Sequence, residues 1–235
     1  METFLRFDIS AQPDDTTCGP TCLHSVYRYY GDTFSLSRLI SEVEMLREGG
    51  TLAGNLGCHA LLRGYRVSLY TYDLNLFDPT WFAHGLPVVD LADKLKRQLA
   101  YKRGSKFAYA TNLYLQYLEL GGVIKYEDLN GSLIRRYLKA GIPILTGLSA
   151  TYLYNDAREH GVDHDDLRGY PAGHFVVLSG YDQDSRMVQV SDPHMSNPFT
   201  GQQYTVGMNK LIGAIMLGIV TYDANILVIE PQKTT

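Results

Sequence analysis

Apolar residues at Cys22, Leu23, Val26, Tyr27 and Tyr30 share one side of a helix predicted over residues 18–30, with Cys18 at its start and Gly31 as its stop. Ser35 or Ser37 caps a second predicted helix that runs to Leu46, and a third covers residues 54–62. The alternation in residues 66–72 (RVSLYTY) reads as a strand. Helical spacing returns over residues 90–101, 109–120 and 129–139, the last ended by Gly141. Beyond it the pattern changes. Residues 142–148, 174–181 and 187–192 are β-rich runs separated by Gly, Asp and Ser turns, and residues 226–229 supply a last strand. The apolar segment 211–220 fits either state. The expected fold class is α+β: one domain over residues 1–235, with a helical part over about 1–140 and a mainly antiparallel sheet part over about 141–235. A cleft between the two parts follows.

Composition narrows the function without naming it. At 45% hydrophobic residues the 235-residue chain buries a sizeable core, and a net charge of −4 with 20% charged residues gives no support for disorder or wholesale nucleic-acid binding. No apolar run is long enough to cross a bilayer, and the start METFLRFDISAQPDD lacks the basic and apolar regions of a secretory signal. The 3 cysteines, Cys18, Cys22 and Cys58, are an odd number, so the expectation is reduced thiols and a cytoplasmic setting. Gly19, Pro20 and Thr21 separate Cys18 from Cys22, which is not a zinc-knuckle spacing, and neither a metal nor another cofactor is called for.

Candidate chemistry centres on Cys18. A thiol attacks as thiolate, and a helix N-terminus favours negative charge. Cys22 lies one turn deeper among apolar neighbours and reads as core. Gln12 stands one short loop before Cys18, near enough for its amide to join the Cys18 backbone N–H as an oxyanion donor. His174 opens one β-run and Asp192 closes the next. Strands joined by the turn at residues 182–186 (DQDSR) are antiparallel neighbours, which puts a carboxylate beside an imidazole.

At these residues the sequence resembles a known family. The stretch QPDDTTCGPTCL from Gln12, GHFVVLSGYD from Gly173 and VSDP from Val190 are similar to the bacteriocin-processing cysteine peptidases, papain-like domains that remove double-glycine leaders on peptide exporters, together with their stand-alone relatives. The resemblance implies a papain-like cysteine protease fold, Cys18 as nucleophile, His174 as general base and acid, Asp192 as its orienter and Gln12 at the oxyanion. It also implies a cysteine peptidase or amide hydrolase working through an acyl-enzyme on a peptide or amide substrate. With no transporter segment in the chain, a stand-alone member is expected.

Other readings stay open. An acyl transferase of phytochelatin-synthase type needs the same triad, and a non-catalytic member would bind a peptide in the cleft. His160 and His164, with Asp163, Asp165 and Asp166 beside them, suggest a metal site with His174, but Gly161 weakens the helix such spacing requires. The basic tract at residues 94–106 reads as an exposed helix face, and residues 150–172 read as a polar, acidic flap leading into His174.

Overall fold

A computed structural model describes residues 2–46, 49–161 and 163–232. Eight helices are described: α1 (Cys18–Tyr29), α2 (Leu36–Glu42), α3 (Ala53–Leu62), α4 (Leu91–Gln98), α5 (Ser105–Glu119), α6 (Gly131–Lys139), α7 (Ala150–Tyr154) and α8 (Met208–Leu217). The main sheet takes strands β1 (Glu2–Phe4), β2 (Tyr65–Thr71), β5 (Val123–Lys125), β6 (Ile144–Ser149), β9 (Gly173–Asp182), β10 (Met187–Ser191), β11 (Gln203–Gly207) and β12 (Asn225–Pro231). Two short hairpins complete the list, β3 (Phe82–Ala83) with β4 (Leu86–Pro87), and β7 (Glu159–His160) with β8 (Asp163–His164).

The class is α+β, with a helical N-terminal part on a mainly antiparallel sheet. Strand order is β11-β10-β9-β6-β12-β2-β5, with β1 on the free part of β9's edge; β2 and β5 are parallel and the other pairs antiparallel. The central strands are buried on both faces. On one face Leu69, Leu145, Phe175, Val177 and Leu227 pack against α1, α3 and α5. On the other, Ile144, Val176, Leu178, Ile226 and Val228 pack against α6 and α8. This double covering explains why β6, β9 and β12 are almost continuously apolar rather than alternating.

Several elements depart from the sequence reading. Ser35 caps α2 through Arg38 N, but the helix ends at Glu42, because Val43 turns extended and buries its side chain. The ambiguous segment 211–220 belongs to α8 and a following 3-10 turn, Gly218–Thr221. Strands β1 and β5 have 3 residues each, too few for alternation to register. The stretch 150–172 is not one polar loop: α7 opens it, with Ala150 and Leu153 buried, and β7 and β8 form a hairpin farther out.

Local capping is clearest at α6, where the Asn130 side chain accepts hydrogen bonds from the N–H groups of Ser132 and Leu133. Asn130→Ala therefore costs about 1 kcal/mol of stability, read as a lower urea midpoint at unchanged slope.

Candidate active site

Cys18 is the first residue of α1, preceded by Thr17, whose side chain makes no capping bond. The first-turn N–H groups are thus left for the Cys18 side and for a bound ligand, and Pro20 adds no donor there. Gly19 is forced by packing. A Cβ at that position would lie 2.5 Å from Thr51 Cγ2 and 3.3 Å from Phe175, so a larger residue would collide with Thr51 and crowd the Phe175 ring of β9. Cys22, one turn on, donates its thiol to the Phe175 carbonyl at 3.2 Å. Burial, with the charges of Cys18 and Asp192, pushes the Cys22 thiol well up, and burial pushes Cys58 up to about 11. All three cysteines are free.

His174 lies near the start of β9, and Asp192 directly follows β10. The two strands are antiparallel with a bulge: Gln189 faces Gly180 while Val190 faces Leu178, so Ser179 has no residue opposite it on β10. Ser179 Oγ instead bonds Ser191 Oγ at 2.9 Å. Past the bulge, His174 Nε2 meets Asp192 Oδ1 at 2.8 Å, which leaves Nδ1 as the ring nitrogen for the thiol of Cys18, a hydrogen-bonding neighbour of the imidazole. Asp192 is fully buried. Its Oδ2 accepts from Tyr204 Oη at 2.6 Å and Tyr154 Oη at 2.7 Å, and its Oδ1 also accepts from His194 N at 2.9 Å. Burial pushes this carboxyl up, but the hydrogen bonds and charge of His174 and the bonds from both phenols outweigh it, leaving it below the usual carboxylate range.

The same groups act on His174. Burial favours the neutral ring, yet the facing charges of Cys18 and Asp192 and the hydrogen bonds to both push it up to about 10. At neutral pH the imidazole is therefore a cation between two acidic groups. Burial and the Asp192 charge hold the phenols of Tyr154 and Tyr204 protonated, so both remain donors.

Gln12 is tied to the turn after Asp192, its N–H donating to the Pro193 carbonyl at 3.0 Å. Its Nε2 donates to the Asp14 carbonyl at 2.9 Å, and its Oε1 is buried with no partner among the described residues. Gln12 and His174 both line a cleft of about 350 Å³, together with Asp15, Asp156 and Glu159. Among the described residues no lysine or arginine lines it, and Cys18 is not among the lining either. The structure thus brings Cys18, His174 and Asp192 together and sets Gln12 in the adjoining cleft.

Of the residues of the weighed metal site, His164 lines the same cleft as His174, and His160 is exposed. His160 and His164 sit on the exposed β7–β8 hairpin, with His164 Nδ1 3.5 Å from Asp156 Oδ1. Among the described residues no group of three or more His, Cys, Asp or Glu side chains is arranged to hold a metal ion. In the basic tract, Arg97 pairs with Asp93, Lys94 covers the Trp81 ring, and Lys102 reaches the Asn75 carbonyl. Sequence reasoning missed Tyr154 and Tyr204. Tyrosines are plentiful in this chain, 18 in all, and nothing local marks the two that reach one carboxylate.

The profile of the Peptidase_C39 like family matches residues 4–213, nearly the whole chain. The chain belongs to that family. Its type is accordingly that of a cysteine peptidase. No curated protein matches the sequence. Among solved structures, a chain from Bacillus anthracis named as a C39-like peptidase has the same fold, at 16% identity and a TM-score of 0.51 over 100% of both chains. Weaker likenesses are to a double glycine motif protease from an AMS/PCAT transporter in complex with leader peptide, and to xylellain, a cysteine protease from Xylella fastidiosa. The first has 14% identity and a TM-score of 0.47 over 98% of this chain and 95% of that one. The second has 13% identity and a TM-score of 0.45 over 99% and 86%.

Tyr204→Phe removes a charge-assisted bond from a fully buried carboxylate and is expected to cost about 1.5–3 kcal/mol. A carboxyl held below its unfolded value stabilises the fold above that value and loses the contribution as pH falls through its folded value. With one donor gone the folded value rises, so acid unfolding of Tyr204→Phe begins at a higher pH than in the wild type. Circular dichroism during acid titration checks this.

Proposed function

We propose that the chain is one papain-like domain acting as a cysteine peptidase or amide hydrolase, with Cys18 as nucleophile, His174 as base and acid, Asp192 as orienter and Gln12 as an oxyanion donor. The observation that carries this reading is the continuous chain Asp192–His174–Cys18 ending at an uncapped helix N-terminus. Cys18 Sγ attacks the carbonyl carbon as thiolate, and the carbonyl π electrons move to oxygen. The Cys18 backbone N–H and the second Nε2 proton of Gln12 receive that oxyanion. On collapse the C–N bond breaks and the imidazolium gives its proton to the leaving amine, which leaves a thioester on Cys18. Water then attacks, His174 takes its proton, and the acid departs as the thiolate is restored.

Because His174 protonates the leaving amine, the leaving group lies on its side of the thiol. The cleft that includes His174 and Gln12 but not Cys18 is on that side, and its charged residues are Asp15, Asp156 and Glu159, with His164 against Asp156. A peptide with a basic residue just after the scissile bond therefore suits it. Exposed charges contribute about 0.2–1 kcal/mol per pair, a few-fold in rate each, and salt screens them.

Acyl transfer to an amine or thiol uses the same first half-reaction, and product analysis in heavy-oxygen water separates the two: hydrolysis puts the label into the new carboxylate. A non-catalytic binder would show neither product.

His174→Ala is expected to abolish turnover of a quenched fluorescent peptide, while Asp192→Asn retains a residual rate, since Asp192 does not itself take the proton. Gln12→Ala lowers kcat by about a hundredfold, the usual scale for one oxyanion donor. A Gln12→Ala rate equal to wild type would remove that assignment. In paired substrates, Lys immediately after the scissile bond gives the higher kcat/KM than Glu at low salt, and the gap narrows as salt is added.

A further inference from the structure

Behind the site, at the same end of the sheet, several buried acceptor atoms have no hydrogen-bond partner among the described residues. Strands β2 and β12 pair Thr71 with Asn225, and Tyr72 N–H donates to the Ala224 carbonyl at 2.9 Å, so the next two residues, Asp73 and Asp223, come opposite one another. Tyr114 on α5 feels the charges of both Asp73 and Asp223 and hydrogen-bonds Asn225, so the three side chains form one polar patch. It continues the face of Leu69 and Leu227, beneath α5. Asp73 is 1% exposed, Asp223 7% and Asn225 0%. Asp73 Oδ2, Asp223 Oδ1 and Asn225 Oδ1 have no hydrogen-bond partner among the described residues.

The patch touches the strand that carries His174. Gly173, the residue before it, faces Asp223: a Cβ at Gly173 would collide with Asp223 Oδ2 and lie 2.8 Å from Thr221 Oγ1. A side chain there would have to displace Asp223 and Thr221, which favours glycine at this position. The charged and titratable groups around Asp223 are His174 on β9, Asp73 after β2, and Lys106 and Tyr114 on α5. Lys106 Nζ stands 3.4 Å from the Thr221 carbonyl and 4.7 Å from the Tyr222 ring centre. The charge of Lys102 acts on Asp73, whose Oδ1 already serves Asn75.

We propose that Asp73 and Asp223 form a carboxyl pair sharing one proton at neutral pH, and that Asp223 is a positioning residue for His174, setting through its charge how firmly the imidazolium is held. One proton between Asp223 Oδ1 and Asp73 Oδ2 gives both orphan oxygens a partner and removes the repulsion of two buried negative charges. Burial pushes Asp223 up to about 7, against the pull of Thr221, Lys106 and His174 and with the help of Asp73. Asp73 is also raised, by burial, against its bonds from Asn75. As pH rises through about 7 the pair goes from one negative charge to two, and the added charge beside Gly173 favours the imidazolium.

The functional part of this proposal rests on the Cys18–His174 reading; the shared proton does not. Two measurements keep them apart. The first is the rate at which iodoacetamide, an uncharged probe, alkylates Cys18 between pH 5 and 9. Wild type is expected to show a step near pH 7 that Asp223→Asn lacks and that Asp73→Asn moves to lower pH, since an asparagine there donates to Asp223 and takes away the like charge. The second is thermal stability. A carboxyl whose folded value lies above its unfolded value of about 3.9 costs stability progressively as pH climbs between the two. The Tm of Asp223→Asn relative to wild type should therefore increase from about pH 4 to about pH 7 and then stay level. A Tm difference constant with pH overturns the shared proton. Superposable alkylation profiles for wild type and Asp223→Asn overturn the link to His174. Should Asp223→Asn fail to fold, the Asp73→Asn shift decides both points. If Cys18 reacts as fast in His174→Ala as in wild type, the reading of the site fails, and the stability measurement still tests the pair.

Discussion

Much of this architecture depends on keeping one charge, that of Asp192, buried. A bare carboxylate at 0% exposure is costly, and it persists because donors from separate elements converge on it. His174 comes from β9, Tyr204 from β11, Tyr154 from the end of α7 and the His194 N–H from the turn after β10. Each donor fixes one element relative to β10. The β9 bulge, the short β11 and the otherwise unexplained helix α7 are all geometries that deliver a donor to the same two oxygens. Removing any one donor leaves part of a buried charge unpaired, so the penalty falls on the fold as well as on the chemistry.

The N-terminal segment is fastened to this centre from two directions. Gln12 bonds the backbone of Pro193, directly after the carboxylate, and α1 lies on β9 through Gly19, Cys22 and Phe175. Movement of α1 across the sheet therefore carries Cys18 away from His174 and strains the turn that holds Asp192. The cleft between the helical part and the sheet is in this sense a consequence of packing around the carboxylate rather than a separate feature. The β7–β8 hairpin, by contrast, reaches outward and contributes the cleft's outer wall through Glu159.

How much of this was legible in the sequence follows from the range of each interaction. Cys18, His174 and Asp192 could be read because a helix pattern begins at the first, and β-runs joined by a recognisable turn begin at the second and end at the third. Strand adjacency then follows from topology. Tyr204 could not be read, because QYTVG is short, half polar and separated from β10 by an irregular segment. Tyr154 lay in a stretch that looked like a polar loop, since a single turn of helix leaves almost no periodic signal. The Asp73–Asp223 facing was equally hidden: it depends on the register of two strands distant in sequence, and neither residue has a neighbour that announces burial.

The three cysteines act as an internal comparison for the proposed chemistry. They have the same side chain, all are buried, and two are on one helix one turn apart. Burial therefore cannot be what distinguishes Cys18. Cys22 donates a hydrogen bond to a backbone carbonyl and is held as a thiol by desolvation and by negative neighbours. Cys58, deep in α3, is held the same way, with Glu44 adding to the effect. Cys18 alone among them combines an uncapped helix N-terminus with a cationic imidazole. That cation exists because Asp192 is ionised, and Asp192 is ionised because the tyrosines and the His194 amide compensate it. The reactivity proposed for one sulfur atom is in this way assembled by residues that a substrate never meets.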